Sequence, residues 1–388
     1  MLKSILASAG VAAIAIIPVS ASAQGPEIAT ASAATTAMPQ DSEFNIFAPG
    51  ERTNPSQIDY TAWSQAMTYL VYPMGRSLRE GSPRPQASIG SRRIFGHDSR
   101  YRLEGNRVMF SFFNDELRAM VSDYRQELQD LGGQIDISTL PRNEQLAYWF
   151  NLHNVAVMET IANEWPVRQP RDIEIGGVPF DQAKFITVNG VSMSPHDIRH
   201  QIVFRHWEDP KVIYGFWRGD IGGPSIASDA FSGINVAAIL DRQAREFVNS
   251  LRGTQKRGDL LEVSTIYDEA RPYYFSDWPR DIRAHITAFA ETEVGEILAE
   301  TNQTEATIEE ADIADLAGGV REPSYSYVTT QIDGVDRPAS FRIPRGTARL
   351  LNEQGRKLQK IRREGRTGTV IFNPITLPGE EEDDGEVD

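Results

Sequence analysis

Apolar positions along this chain are most regular between Arg142 and Trp165. Leu146, Trp149, Phe150, Val157 and Ile161 recur at steps of three and four, and Ala147, Val155, Met158 and Ala162 form a second stripe. The stretch holds neither Gly nor Pro, and Pro166 follows it, so the pattern predicts a helix that ends before the proline. Two apolar stripes predict burial on both sides, as for a central element of a domain. Asn151 and Asn154 interrupt the second stripe one turn apart. A buried carboxamide costs roughly 1–3 kcal/mol unless it is hydrogen-bonded, so each of them needs a partner. Two partners are open: the backbone of neighbouring loops, or a ligand.

The same reading places weaker elements around that helix. Gln57–Leu78 predicts an amphipathic helix with Ile58, Ala62, Met67, Leu70 and Val71 inward, and Arg107–Phe113 a short strand. Asn114 caps a helix with acids in its first turn that stops at Gly132-Gly133. Between Asp172 and Met193 strands are expected, with Asn189-Gly190 as a hairpin turn because both residue types tolerate positive φ. Ser194 caps a further helix, with Pro195 first and Asp197 as the acid three residues on. Lys211–Arg218 alternates Val212, Tyr214 and Phe216 against Ile213 and Trp217, which predicts a strand buried on both faces. It opens into the glycine-rich Gly219–Ser225 loop, whose backbone N–H groups can face a ligand. Asn235–Arg252 predicts a helix, Leu260–Ser264 a strand, and Asp281–Ala299 a helix with His285 on its surface. Two strands follow within Ser324–Ile343, turning at Asp333-Gly334. The expected class is α+β: a mainly helical single domain around a central buried helix, with a small, partly antiparallel sheet.

Composition changes this picture mainly at the two ends. Residues 1–23 place an early lysine before an apolar run and end in Ala21-Ser22-Ala23, the pattern of a secretory signal peptide cleaved before Gln24. Residues 24–54 read as a disordered spacer. The expected compartment is periplasmic or secreted, and no later run approaches the roughly 18 apolar residues of a membrane span. The chain has no cysteine, which excludes disulfides, thiolate chemistry and cysteine-held metals. A net charge of −15 argues against nucleic acid as a generic partner. The domain is expected over 55–300, followed by an extension over 301–378 and an acidic tail over 379–388. Within the extension, Arg342–Arg366 sets nine basic residues against Glu353 and Glu364 on a helical stripe of Leu351, Leu358 and Ile361. Such a helix either packs on the domain or meets an acidic partner or an anionic membrane surface.

Candidate chemistry is sparse. His196 and His200 are four apart, but Asp197 stands where a zinc-peptidase motif has glutamate, and neither a metal nor a cofactor is expected. His200 is the candidate acid or base, with Asp197 three residues before it as an orienting carboxylate. Asn151, Asn154, Asp197 and Arg218 are the candidate binding residues. Arg218 ends a buried segment and needs an anion: Asp197, Asp220, or a small anionic or peptide-like ligand. The arginines at 84, 92, 93, 100 and 102 form either a solvated loop or an anion-binding cluster.

Asn143-Glu-Gln-Leu-Ala-Tyr-Trp-Phe-Asn-Leu-His-Asn resembles the central motif of the domain of unknown function 547 family. The likeness continues through Trp165-Pro166, Phe185-Ile-Thr-Val, Ser194-Pro-His-Asp-Ile-Arg-His and Asp209-Pro-Lys-Val, and spans roughly 55–299. The resemblance implies that typical members carry a histidine at Ile213 and cysteines at Arg218 and Gly223, an arrangement similar to thiol-nucleophile enzymes. This chain lacks all three. The expected function is therefore an exported, non-catalytic binding or scaffold protein. The alternative is a hydrolase or transferase on peptide-like or cell-envelope substrates that uses His200.

Overall fold

The computed structural model describes residues 16–17, 42–86, 94–322, 325–330 and 339–365. The signal-peptide and spacer readings fall largely outside these residues, as do the Asp333-Gly334 turn, Arg92, Arg93 and the acidic tail. Helix α1 covers Thr61–Leu70, shorter than the pattern suggested, with Trp63, Met67 and Leu70 buried. Helix α2 runs from Asp115 to Gln134 with Asn114 accepting the Leu117 N–H at its start. It does not stop at Gly132-Gly133. Gly132 is there for packing, since a Cβ on it would lie 2.3 Å from the Tyr148 hydroxyl and 2.6 Å from a Val188 methyl.

The central helix, α3, spans Arg142–Glu164, and every residue from Asn143 to Ala162 is buried. Helix α2 crosses one side of it, where the Tyr148 hydroxyl donates to Leu128 O at 2.9 Å. Strands β1 (Ile186–Val188) and β2 (Val191–Met193) form the expected hairpin, with Asn189 and Gly190 both at positive φ. The Ser194 capping box then starts a helical run whose middle, Ile198–Val203, is a π-helix: the Phe204 N–H reaches back five residues to Arg199 O.

Residues 210–217 differ from the expected strand. Pro210–Gly215 is a 3-10 helix, started by Asp209 accepting the Lys211 N–H at 2.9 Å, and among the described residues it pairs with no strand. Burial follows the sequence pattern, because Val212 to Trp217 are all enclosed. The backbone partners come instead from the Asn154 carboxamide, which donates to Gly215 O at 2.9 Å and accepts the Trp217 N–H at 3.0 Å. One side chain on α3 thus takes the place of a neighbouring strand. Alternation signalled burial on all sides, and a lone enclosed segment satisfies it without extended geometry.

Helix α4 (Val236–Val248) lies against α3, and β3 (Thr254–Arg257) and β4 (Leu260–Ser264) form an antiparallel pair. A helix that the pattern did not predict, α5 (Ile266–Tyr274), comes next, and the expected Asp281–Ala299 helix is two: α6 (Trp278–Phe289) and α7 (Thr292–Glu300). His285 is buried, not on the surface: its Nε2 is 2.7 Å from the Tyr214 hydroxyl, and burial pushes its pKa down to about 3. Strand β5 (Gln303–Ile308) joins β4 in parallel, giving the order β5-β4-β3. The chain then passes Val108 and Asp220, and buried Asp315 accepts hydrogen bonds from Phe110 N, Trp165 Nε1 and Gly319 N.

Strands β6 (Tyr325–Thr330) and β7 (Ala339–Pro344) pair antiparallel before α8, Arg345–Arg363. Several cations of α8 turn inward. Lys357 Nζ donates to Gly75 O and Leu103 O at 3.2 and 2.5 Å, and Arg349 donates to His97 O at 2.6 Å. Arg102 is buried against Glu353, while Arg84 and Arg100 are exposed, so the described arginines of that loop do not share one pocket. Among the described residues no helix is long and apolar enough to cross a membrane. The whole is α+β: a helical body around α3 with small sheets of two or three strands.

Candidate functional site

The two asparagines of α3 lead to different places. Asn151 closes a ring with Phe231, donating to its O at 2.8 Å and accepting its N–H at 3.0 Å. Two turns earlier, Glu144 accepts the Ile58 and Gly233 N–H groups at 3.1 and 3.0 Å. Burial pushes the Glu144 carboxyl up to about 7 against the pull of those two donors. This side of α3 is a clamp on the 231–233 loop. Beside it, near Asn151, Asn154 and Met158, a cavity of about 10 Å³ holds no more than a water.

Asn154 begins a chain of contacts that runs outward. Its Oδ1 lies 3.0 Å from His153 Nδ1, and His153 Nε2 lies 3.0 Å from Arg199 Nη1. Arginine can only donate, so Nε2 accepts and the ring proton sits on Nδ1. Burial, then the Arg199 charge, holds His153 down to about 3, and the ring is neutral. Arg199, itself enclosed, grips Asp181 with both terminal nitrogens at 2.8 and 2.7 Å and Glu269 through Nε at 3.0 Å. Burial raises the Asp181 carboxyl, but the Arg199 charge and hydrogen bonds outweigh it and hold the group at about 2.

Glu269 is the hub of the cluster. Its Oε1 takes Arg199 Nε and His200 Nε2, the latter at 2.9 Å, and its Oε2 pairs with Arg218 Nη1. Despite burial, Arg218 and Arg199 hold this carboxyl far below the usual carboxylate range. One turn on along α5, the Tyr273 hydroxyl lies 3.3 Å from His200 Nδ1 and donates to His200 O at 3.1 Å. Both ring nitrogens of His200 are therefore engaged. His196 stacks flat on His200, with centroids 4.0 Å apart and planes at 9°, so the two rings do not converge on a shared ion.

Arg218 is the least satisfied member. Glu269 takes Nη1, while Nε and Nη2 are enclosed and make no hydrogen bond within the protein. Those two nitrogens are one edge of the guanidinium, the edge that matches two carboxylate oxygens. Among the described residues no other side chain has two such atoms. Neither expected internal partner is used. Asp197 is turned away into the Ser194 capping box. Asp220 accepts the Gly223 N–H at 2.7 Å, and burial raises its carboxyl to about 6.

The structure thus brings His200 and Arg218 together on Glu269, joins Asn154 to them through His153 and Arg199, and leaves Asn151 and Asp197 outside. Sequence reading missed Glu269, Asp181 and Arg199. A signal for Glu269 existed, since it falls on the same helical stripe as Ile266, Ala270 and Tyr273, a charge on an otherwise apolar face. Asp181 sits in a loop after Phe180, where no periodicity points to it. Ser225 takes no part: its hydroxyl serves Glu246, Arg252 and the Asn106 N–H. The carboxylate that accepts its proton, Glu246, is itself tied up by Arg252.

Residues 137–248 match a family model described as "Protein of unknown function, DUF547". That span includes Asn154, Asp181, Arg199, His200 and Arg218, and it ends before Glu269 and Tyr273. No curated protein and no solved structure matches the chain.

Proposed function

Residues 137–248 belong to the family of proteins of unknown function DUF547, and from that premise we propose that this is an exported, non-catalytic binding protein whose Arg218 cluster receives a carboxylate-bearing, peptide-like ligand. The observation that carries the reading is the unfilled Nε/Nη2 edge of Arg218 beside a fully engaged Glu269. A ligand carboxylate completes that edge once the side chains over it turn aside. Export rests on the leader-like residues 1–23. The hydrolase alternative would use His200, whose Nε2 is held by Glu269 at 2.9 Å and whose Nδ1 lies 3.3 Å from the Tyr273 hydroxyl, so a substrate would have to displace Tyr273 to reach the ring.

Calorimetry with an N-acetylated dipeptide and its C-terminal amide tests this. The free acid is expected to bind and the amide not, and Arg218→Met is expected to weaken the acid at least about tenfold, or ~1.4 kcal/mol. Equal binding of acid and amide overturns the carboxylate reading. Turnover of peptide substrates that is lost in a folded His200→Ala variant overturns the non-catalytic one.

A further inference from the structure

Away from the Arg218 cluster, a cavity of about 160 Å³ opens where four distant parts of the chain meet: the 76–79 loop, Asn249 at the end of α4, the start of α7, and the end of α8. Arg76, Leu78, Arg79, Glu291, Glu293 and Ile361 line it. At roughly 10–15 Å³ of such volume per water it has room for on the order of ten waters, so its occupant is a small molecule of about that many heavy atoms.

The walls divide by chemistry. Leu78 and the buried Ile361 supply an apolar side. Arg79, 6% exposed, pairs with the exposed Glu293 at 3.1 Å and is fixed by also donating to Ser250 O and to both oxygens of Thr254. Arg79 holds a left-handed φ of 55°, unusual for a residue with a side chain, and these bonds keep it there. The second pair, Arg76 with Glu291, is different. Both side chains are more than 40% exposed (45% and 41%), so the pair is worth little and is easily exchanged. With two cations and two anions, the walls favour neither a lone anion nor a lone cation. They suit a molecule with both charges close together and a small apolar group.

We infer that this cavity binds a free α-amino acid with an apolar side chain. Arg76 takes its carboxylate, Glu291 its ammonium, and Leu78 and Ile361 its side chain. The ligand replaces the exposed Arg76–Glu291 pair with two pairs of its own, while Arg79 and Glu293 stay as they are. The inference is independent of the Arg218 reading and gives α8 a role as one wall of a site.

Titration calorimetry on the whole protein, with L-leucine, leucinamide and 4-methylpentanoate, tests it. Leucine is expected to bind, and the two singly charged analogues at least about tenfold more weakly. Arg76→Gln and Glu291→Gln, both at exposed positions, are each expected to weaken leucine at least about tenfold with an unchanged circular dichroism spectrum, and Arg218→Met to leave it unaltered. No heat with leucine overturns the inference, and so does 4-methylpentanoate binding as well as leucine, which would mark a plain anion site. Leucine binding that survives both substitutions places the ligand elsewhere and overturns it too.

Discussion

On the Glu144–Asn151 side of α3, every described polar contact goes to backbone: Ile58 and Gly233 for the carboxylate, Phe231 for the carboxamide. On the His153–Asn154 side, backbone contacts lead on to a row of charges through Arg199, Asp181, Glu269, His200 and Arg218. The first side is closed, and the cavity beside it is water-sized. The second ends in side chains that keep some exposure, 12% for His200 and 18% for Arg218. Two asparagines one turn apart, on one helix, thus serve a structural clamp and the base of a charged cluster. A buried carboxamide is therefore informative only through what its partners touch next.

The comparison breaks most sharply at Glu269. Glu269→Ala leaves Arg199, His200 and Arg218 without their shared carboxylate, and a loss of about 3–5 kcal/mol in urea unfolding is expected. A loss below ~1 kcal/mol would mean that Asp181 alone carries Arg199, and that the hub is not a hub.

The two sides should also respond to pH with opposite sign. Glu144 has a folded pKa near 7, above its ordinary 4.5, so its contribution is full below about 4.5 and is lost as pH rises through 7. His153 is held near 3, below its ordinary 6.5, so its contribution is full above about 6.5 and is lost as pH falls toward 3. At ~1.4 kcal/mol per unit, each moves stability by about 2 kcal/mol between pH 5 and 7, in opposite directions. Relative to wild type, Glu144→Gln is expected to lose about 2 kcal/mol more on acidification from pH 7 to 5, and His153→Gln about 2 kcal/mol less. Urea midpoints at the two pH values decide it, and slopes that do not differ between the variants would contradict the assignment.

Asn151→Ala and Asn154→Ala each strand a buried N–H and a buried carbonyl, at an expected loss of about 1.5 kcal/mol apiece. Only the second should alter ligand binding at Arg218, by releasing His153 from its orientation. The smallest expected effect on stability is that of Arg218→Met, below about 1 kcal/mol, because Glu269 keeps Arg199 and His200. A large loss there would show that the Arg218 fork has a partner that the fold supplies.

Local signals carried much of the architecture. Two apolar stripes and Pro166 announced α3, Asn189-Gly190 announced the hairpin, and the Ser194-Pro195-Asp197 spacing announced a capping box. Each rests on interactions within a few residues, which is why they are visible along a single chain. Where a signal reports burial alone it leaves conformation open, as at 210–217 and at Gly132-Gly133, where contacts from α3 and from the β1–β2 hairpin set the outcome.

The cluster itself belongs to the tertiary structure. Composition and periodicity mark His200 and Arg218 as out of place, but Arg218 meets Glu269 across 51 residues and Arg199 meets His153 across 46. A hydrogen bond depends on position within a few tenths of an ångström, and no local propensity encodes which distant donor will arrive there. The sequence by itself determined that α3 is buried and that its polar residues need partners. Only the fold decided which partners, because that choice is set by how α3, α5 and the π-helical turn are packed against one another.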